Sequence, residues 1–66
     1  MTKKEKENLA IEIAETEVIL QNATSEEDKK NAAQKIFKLS DKIESLDDLF
    51  EIDEIILNYL NKKVDN

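Results

Sequence analysis

Six carboxylates are concentrated in the last third of the chain, where no Lys or Arg occurs between Lys42 and Lys62. They are Glu44, Asp47, Asp48, Glu51, Asp53 and Glu54. Grouped acidic side chains can bind a divalent cation or act as general acids and bases. The segment from Glu44 to Leu60 also contains nine large apolar residues, so it is both the most acidic and the most hydrophobic part of the chain.

The spacing of these acids does not match the common metal sites. A calcium-binding loop alternates oxygen ligands around a central glycine, whereas residues 47–54 place apolar side chains in ligand positions and the chain has no Gly. Carboxylate metal sites in helical bundles usually add His to the acids, and the chain has no His. We therefore expect neither a metal nor any other cofactor.

The composition also disfavours catalysis. Without His, Cys or Arg, the chain lacks the usual general base, the thiol nucleophile and the bidentate clamp for phosphate. We expect no catalytic residues and no enzyme activity.

The formal net charge of −6 belongs to the acidic segment, because the other ten acids are balanced by ten Lys. This charge disfavours binding to a nucleic-acid backbone or an anionic membrane, and it suits a protein partner with a basic surface. No apolar run reaches the roughly 18 residues that span a bilayer. Acids also interrupt the apolar residues near the N-terminus, which is unlike a secretion signal. We expect a cytoplasmic location.

The elements that position the acids are predicted to be helices, because the absence of Gly and Pro removes the usual turn residues of β-hairpins. Three capping-box patterns mark helix starts: Thr2 with Glu5, Thr24 with Glu27 or Ser25 with Asp28, and Ser45 with Asp48. They predict helices at about 3–22, 26–44 and 46–62. The predicted fold is a single all-α domain over 1–66, an up-down-up three-helix bundle.

An alternative arises at the second junction, where residues 43–47 contain no helix breaker. The apolar stripe of the second helix continues there through Leu46, Phe50 and Leu57. A continuous helix over 26–62 would be about 55 Å long, and a second chain would have to cover its overhang. The alternative is therefore a dimer of two-helix hairpins. The Ser45 cap and the acids that follow it favour three helices.

The first helix has two apolar lines at helical spacing. One contains Leu9, Ile13, Thr16, Leu20 and Ala23; the other contains Ile11, Ala14 and Val18. The two lines predict that this helix is packed between both neighbours, and the alternative is that Ile11 and Val18 contact another chain. At its end, Asn22 is predicted to take the left-handed conformation that Gly would otherwise supply.

The third helix is predicted to pack through Leu46, Phe50, Leu57 and Leu60, which continue the stripe of the second helix. A polar row on another side contains Asp47, Glu51, Glu54, Asn58 and Asn61. The remaining apolar residues lie on the flank. The predicted partner-binding residues are Ile52, Ile55, Tyr59, Asp47, Glu51 and Glu54.

These observations predict a non-catalytic interaction or regulatory module that binds a partner protein, or a second copy of itself, through the third helix. The alternative is an acidic inhibitor that imitates nucleic acid and occupies the basic site of a nucleic-acid-binding protein.

A third possibility comes from a resemblance over nine of the 66 residues. Residues 38–46, Lys-Leu-Ser-Asp-Lys-Ile-Glu-Ser-Leu, resemble the Lys-Leu-Ser-Gln-Glu-Leu-Asp-Lys-Leu type of segment in small sporulation-associated aspartyl-phosphate phosphatases of low-GC bacteria. The resemblance implies a two-helix fold and a phosphatase-like regulator, with Glu44 in the position of the family's Asp. Asp41 and Lys42 depart from its Gln-Glu pair.

Overall fold

A computed structural model of the protein describes residues 1–64, with side chains to Lys62. The chain forms three α-helices, α1 (Lys3–Asn22), α2 (Glu26–Ser40) and α3 (Leu46–Val64). The described residues contain no β-strand. The predicted all-α, three-helix fold is therefore confirmed.

The central helix of the bundle is α1. It packs against both α2 and α3, whereas no Cα atom of α2 lies within 8 Å of one in α3. The molecule measures 35 × 30 × 16 Å along its principal axes, so the helices form an open, flattened arrangement. One layer of this kind leaves the outer sides of α2 and α3 uncovered.

All three helices begin at the predicted hydroxyl caps. At α1 the capping box is complete, since the Thr2 hydroxyl accepts from the Glu5 amide at 3.1 Å and the Glu5 carboxylate accepts from the Thr2 amide at 3.0 Å. Ser25, rather than Thr24, caps α2. The Ser45 hydroxyl accepts from the amide of Asp48 at 3.2 Å at the start of α3.

The chain turns between α2 and α3, so the continuous helix over 26–62 is wrong. Helix α2 ends at Ser40 rather than at 44, and 41–45 form the connection. Amide groups of this connection donate to the last carbonyls of α2, including Lys42 to Leu39 and Ile43 to Ser40. These short-range bonds end the helix without Gly or Pro.

The first connection also needs no left-handed residue. Asn22 is the last residue of α1, and Ala23 follows it in an extended conformation, with φ −68° and ψ 136°. No described residue has a positive φ. The prediction of a left-handed Asn22 was wrong, because extended backbone at the junction is enough to reverse the chain.

Both apolar lines of α1 face its neighbours, as predicted for a helix packed between two others. Leu9, Ile13 and Thr16 are buried on one line, and Ala14 is fully buried on the other. The buried Thr16 hydroxyl donates to the Glu12 carbonyl at 2.7 Å, so burial leaves this polar group satisfied.

The prediction of which side of α3 faces the core was wrong. Ile52 and Ile56 are buried there, and Ile55, Tyr59 and Leu60 pack partly against the same cluster. Three of the four residues predicted to face the core are instead largely exposed: Leu46 at 69%, Phe50 at 65% and Leu57 at 61%. The prediction assumed that the apolar stripe of α2 continues into α3 in the same helical register. The turn at 41–45 breaks that register, so α3 can place a different side against the core.

Candidate protein-binding surface

An ion-pair cluster joins the N-terminal turns of α1 to the first two turns of α3. The Lys6 ammonium lies 3.1 Å from the Asp48 carboxylate and 2.6 Å from the Glu51 carboxylate. Lys6 is three residues before the buried Leu9, and Asp48 is four residues before the buried Ile52. The cluster therefore closes one end of the α1–α3 interface and holds α3 in one rotation about its axis.

The charges of this cluster stabilise each other. Hydrogen bonds from Lys6 to Glu51 and to Asp48 raise the pKa of the Lys6 ammonium. The hydrogen bond from Lys6 lowers the pKa of the Asp48 carboxyl in turn. Lys6 and Asp48 are accordingly both ionised at neutral pH. Lys6 was not among the predicted site residues, although its position one turn before Leu9 places it on the buried line of α1 and could have revealed it.

The exposed apolar residues of α3 lie on one side of the helix. Leu46, Phe50 and Leu57 are spaced by four and seven residues, which places them within a narrow arc at about 100° per residue. With a rise of 1.5 Å per residue they extend over about 16 Å. We call these three residues the outer stripe. Packing within the chain leaves most of each side chain in contact with solvent.

Carboxylates border the outer stripe. Asp47, Glu51 and Glu54 are exposed and occupy the adjacent arc of α3, and Asp53 is exposed between Phe50 and Leu57. We call Asp47, Glu51 and Glu54 the acidic row. Among the described residues, Lys6 pairs with Glu51 but no ion pair involves the other two members of the row. The surface is thus an apolar ridge with acids beside it.

The structure separates the predicted partner-binding residues into two groups. Asp47, Glu51 and Glu54 are exposed, so their role in partner binding stays a prediction. Ile52 has no exposed surface, and Ile55 and Tyr59 pack partly against the core. The prediction of an exposed Ile52 was wrong, because its side of the helix faces the core. Ile55 and Tyr59 are partly buried, and their role in partner binding stays a prediction.

A second candidate site is a cleft of about 490 Å³ beside the N-terminal half of α1. It is lined by Met1, Glu5, Asn8, Leu9, Glu12, Lys42, Glu44 and Asp48. Four carboxylates face a single lysine there, and such a charge distribution repels an anionic phosphate group. No group of three or more acids in the described residues is arranged to hold a metal ion.

The phosphatase-like segment does not lie on one helix. Residues 38–46 comprise the end of α2, the connecting turn and the first residue of α3. The chain also has a third helix, whereas the resemblance implies two. The local fold therefore differs from the one implied by the resemblance, and Glu44 lies in the connection.

Comparisons with protein-family models, with curated proteins and with solved structures found no match to this chain. No helix in the described part of the chain combines the length and the apolar character that crossing a membrane requires.

Proposed function

We propose that the protein is a non-catalytic interaction module that binds a partner protein through the outer stripe of α3. The observation that supports this function is the exposure of Leu46, Phe50 and Leu57 on one side of a helix whose other apolar side already forms the core. Grouped exposed apolar residues with a polar border are typical of protein-binding surfaces.

Binding a partner would remove the apolar side chains of the outer stripe from water, which is energetically favourable. Full burial of a Leu or Phe side chain is favourable by about 1.5–3 kcal/mol, and the fold of the single chain leaves most of this energy unused at these three positions. A partner that covers all three would offset part of the entropy cost of association. Large aromatic residues contribute strongly in such interfaces, so Phe50 is the proposed anchor.

The second candidate function is an acidic inhibitor of a protein with a basic site. It is favoured by Asp47, Asp53 and Glu54, which are exposed and form no ion pair within the described residues. The ion pair of Glu51 with Lys6 weakens this candidate, since it neutralises part of the acidic row. The two candidates differ in whether apolar contacts or charges dominate binding.

Site-specific photo-crosslinking tests the proposed function. A photoreactive phenylalanine analogue replaces Phe50 in one variant and Phe37 in the control, which is 77% exposed on α2. In the native cells, we expect a protein adduct from position 50 and none from position 37. The absence of an adduct from position 50 in the folded, expressed variant would contradict the proposal.

Two further changes in the position-50 variant distinguish the candidates. Leu57→Ser removes part of the outer stripe, while Asp47→Asn with Glu54→Gln removes charge. Loss of the adduct with Leu57→Ser supports the apolar interaction module. An adduct that survives Leu57→Ser but disappears with the charge changes supports the acidic inhibitor and overturns our first proposal.

A further inference from the structure

We propose that the occupant of the outer stripe is a basic amphipathic α-helix of the partner protein. This inference rests on the proposed function and adds the chemistry of the partner. Two properties of the surface support it, the straight helical spacing of its apolar residues and the sign of the charges beside them.

The geometry fits a helix. Leu46, Phe50 and Leu57 form a ridge about 16 Å long, which equals about three helical turns. A partner helix with apolar residues at alternating spacings of three and four can lay a matching stripe along such a ridge. Leu39 of α2 shares the core cluster with Ile52 and Ile56 on the inner side of α3, and the outer stripe stays largely exposed, so α2 does not cover it.

The charges select a basic helix. Asp53 lies within the ridge, Asp47 and Glu54 lie beside it, and α3 has no cation before Lys62. Lys or Arg residues that flank the apolar stripe of a partner helix would lie within a few ångströms of these carboxylates, well inside the Debye length at physiological salt. Acidic flanking residues would be repelled, so the surface discriminates by charge.

The same charges disfavour a second copy of this chain. A two-fold contact through outer stripes would bring Asp53 and Glu54 of both copies together, and each chain has a formal net charge of −6. A contact between the outer stripe of one copy and the Lys-rich helix α2 of another would pair opposite charges. It would bury little apolar surface, however, because Phe37 is the one large apolar residue exposed on α2. That helix offers no apolar stripe that could cover the ridge.

The probe for the test is a labelled peptide of about 18 residues that repeats Leu at helical spacing with Lys on both flanks. A matched peptide has Glu in place of every Lys. Fluorescence anisotropy with the full chain measures both affinities. We expect the Lys peptide to bind at least about tenfold more tightly than the Glu peptide, and to weaken as salt is added.

The protein variants locate the site. Phe50→Ser is expected to weaken binding of the Lys peptide by about tenfold or more, whereas Phe37→Ser leaves it unchanged. Circular dichroism verifies that both variants keep their helix content. Binding that is insensitive to Phe50→Ser, or that is equally sensitive to Phe37→Ser, would overturn the inference.

The remaining outcomes separate this inference from the proposed function. Equal affinity for both peptides rejects a basic occupant, and failure of both peptides to bind rejects a helical one. If crosslinking at position 50 still succeeds in either case, the proposed function stands. Light scattering that detects a dimer abolished by Phe50→Ser would identify a second copy as the occupant and overturn the inference.

Discussion

Helix α3 has two sides rich in large apolar residues, and one is buried while the other is exposed. The inner side places Ile52 and Ile56 in the core, whereas the outer stripe exposes Leu46, Phe50 and Leu57. Both sides have the spacing of a core-facing stripe. The difference shows that apolar periodicity limits the possible buried sides of a helix without choosing between them.

Residues of α1 determine which side of α3 is buried. Lys6 binds Asp48 and Glu51 near the start of α3, and Asp48 lies on the arc of the inner side. Ala10 and Ala14 are fully buried on α1, and such small side chains let neighbouring helices approach closely. Packing and ion pairing together therefore favour one rotation of α3.

The largest expected contrast between the two sides is in stability. Ile52→Ala should lower the free energy of unfolding by about 2–5 kcal/mol, because it creates a cavity at a fully buried position. Leu57→Ala on the outer stripe should change it by no more than about 0.5 kcal/mol. Urea denaturation followed by circular dichroism measures both values. Equal losses would show that both sides are buried in solution.

A smaller loss of stability is expected from a change at Ser45, in the turn between α2 and α3. Ser45→Ala removes the cap of α3 and should cost about 0.5–2 kcal/mol of stability. Ser40→Ala is the control, since Ser40 is exposed at the end of α2 and no side-chain hydrogen bond involves it in the described part of the chain. The same urea titration applies, and an equal response to both changes would argue against the cap.

The smallest expected effect is on the pH dependence of stability. Because the pKa of Asp48 is lowered in the folded state, its ion pair contributes fully to stability at any pH above the ordinary carboxyl pKa of about 4. This contribution is lost as the pH falls below about 4 and through the lowered pKa. The raised pKa of Lys6 has the opposite consequence, a loss as the pH rises through the raised value, above about 10.

Unfolding measured across the acid range tests this linkage. Asp48→Asn should flatten the loss of stability below about pH 4. The control is Asp47→Asn, which removes the same charge from the first turn of α3 at a residue that is not paired with Lys6. Part of the acid response will persist in both variants, because the capping box with Thr2 also lowers the pKa of Glu5. Identical slopes for the two Asn variants would exclude the ion pair as the cause.

Much of the fold could be predicted because its signals are local. Thr2, Ser25 and Ser45 cap the helices through backbone amides three residues away, so their patterns are readable in a short window. The two lines of α1 could be predicted as well, since a helix with apolar residues on opposite sides needs two neighbours. The end of α2 was less predictable, because no Gly or Pro marks Ser40.

The candidate site was predicted only in part. The acids Asp47, Glu51 and Glu54 could be identified as an exposed row, because charged side chains seldom face a core. The exposure of Ile52 and the burial of Leu46, Phe50 and Leu57 were predicted wrongly, and Lys6 was missed. Both errors concern contacts between residues that are far apart in the chain.

The sequence by itself determined three capped helices, a central α1 and a strongly acidic third helix, because capping, periodicity and charge act within a few residues or follow from composition. The tertiary structure alone decided that Ile52 is buried and that Phe50 faces solvent. Helical periodicity leaves the rotation of a helix with two apolar sides undetermined. Only the fit against α1, with Lys6 between Asp48 and Glu51, settles which side forms the core and which side stays exposed.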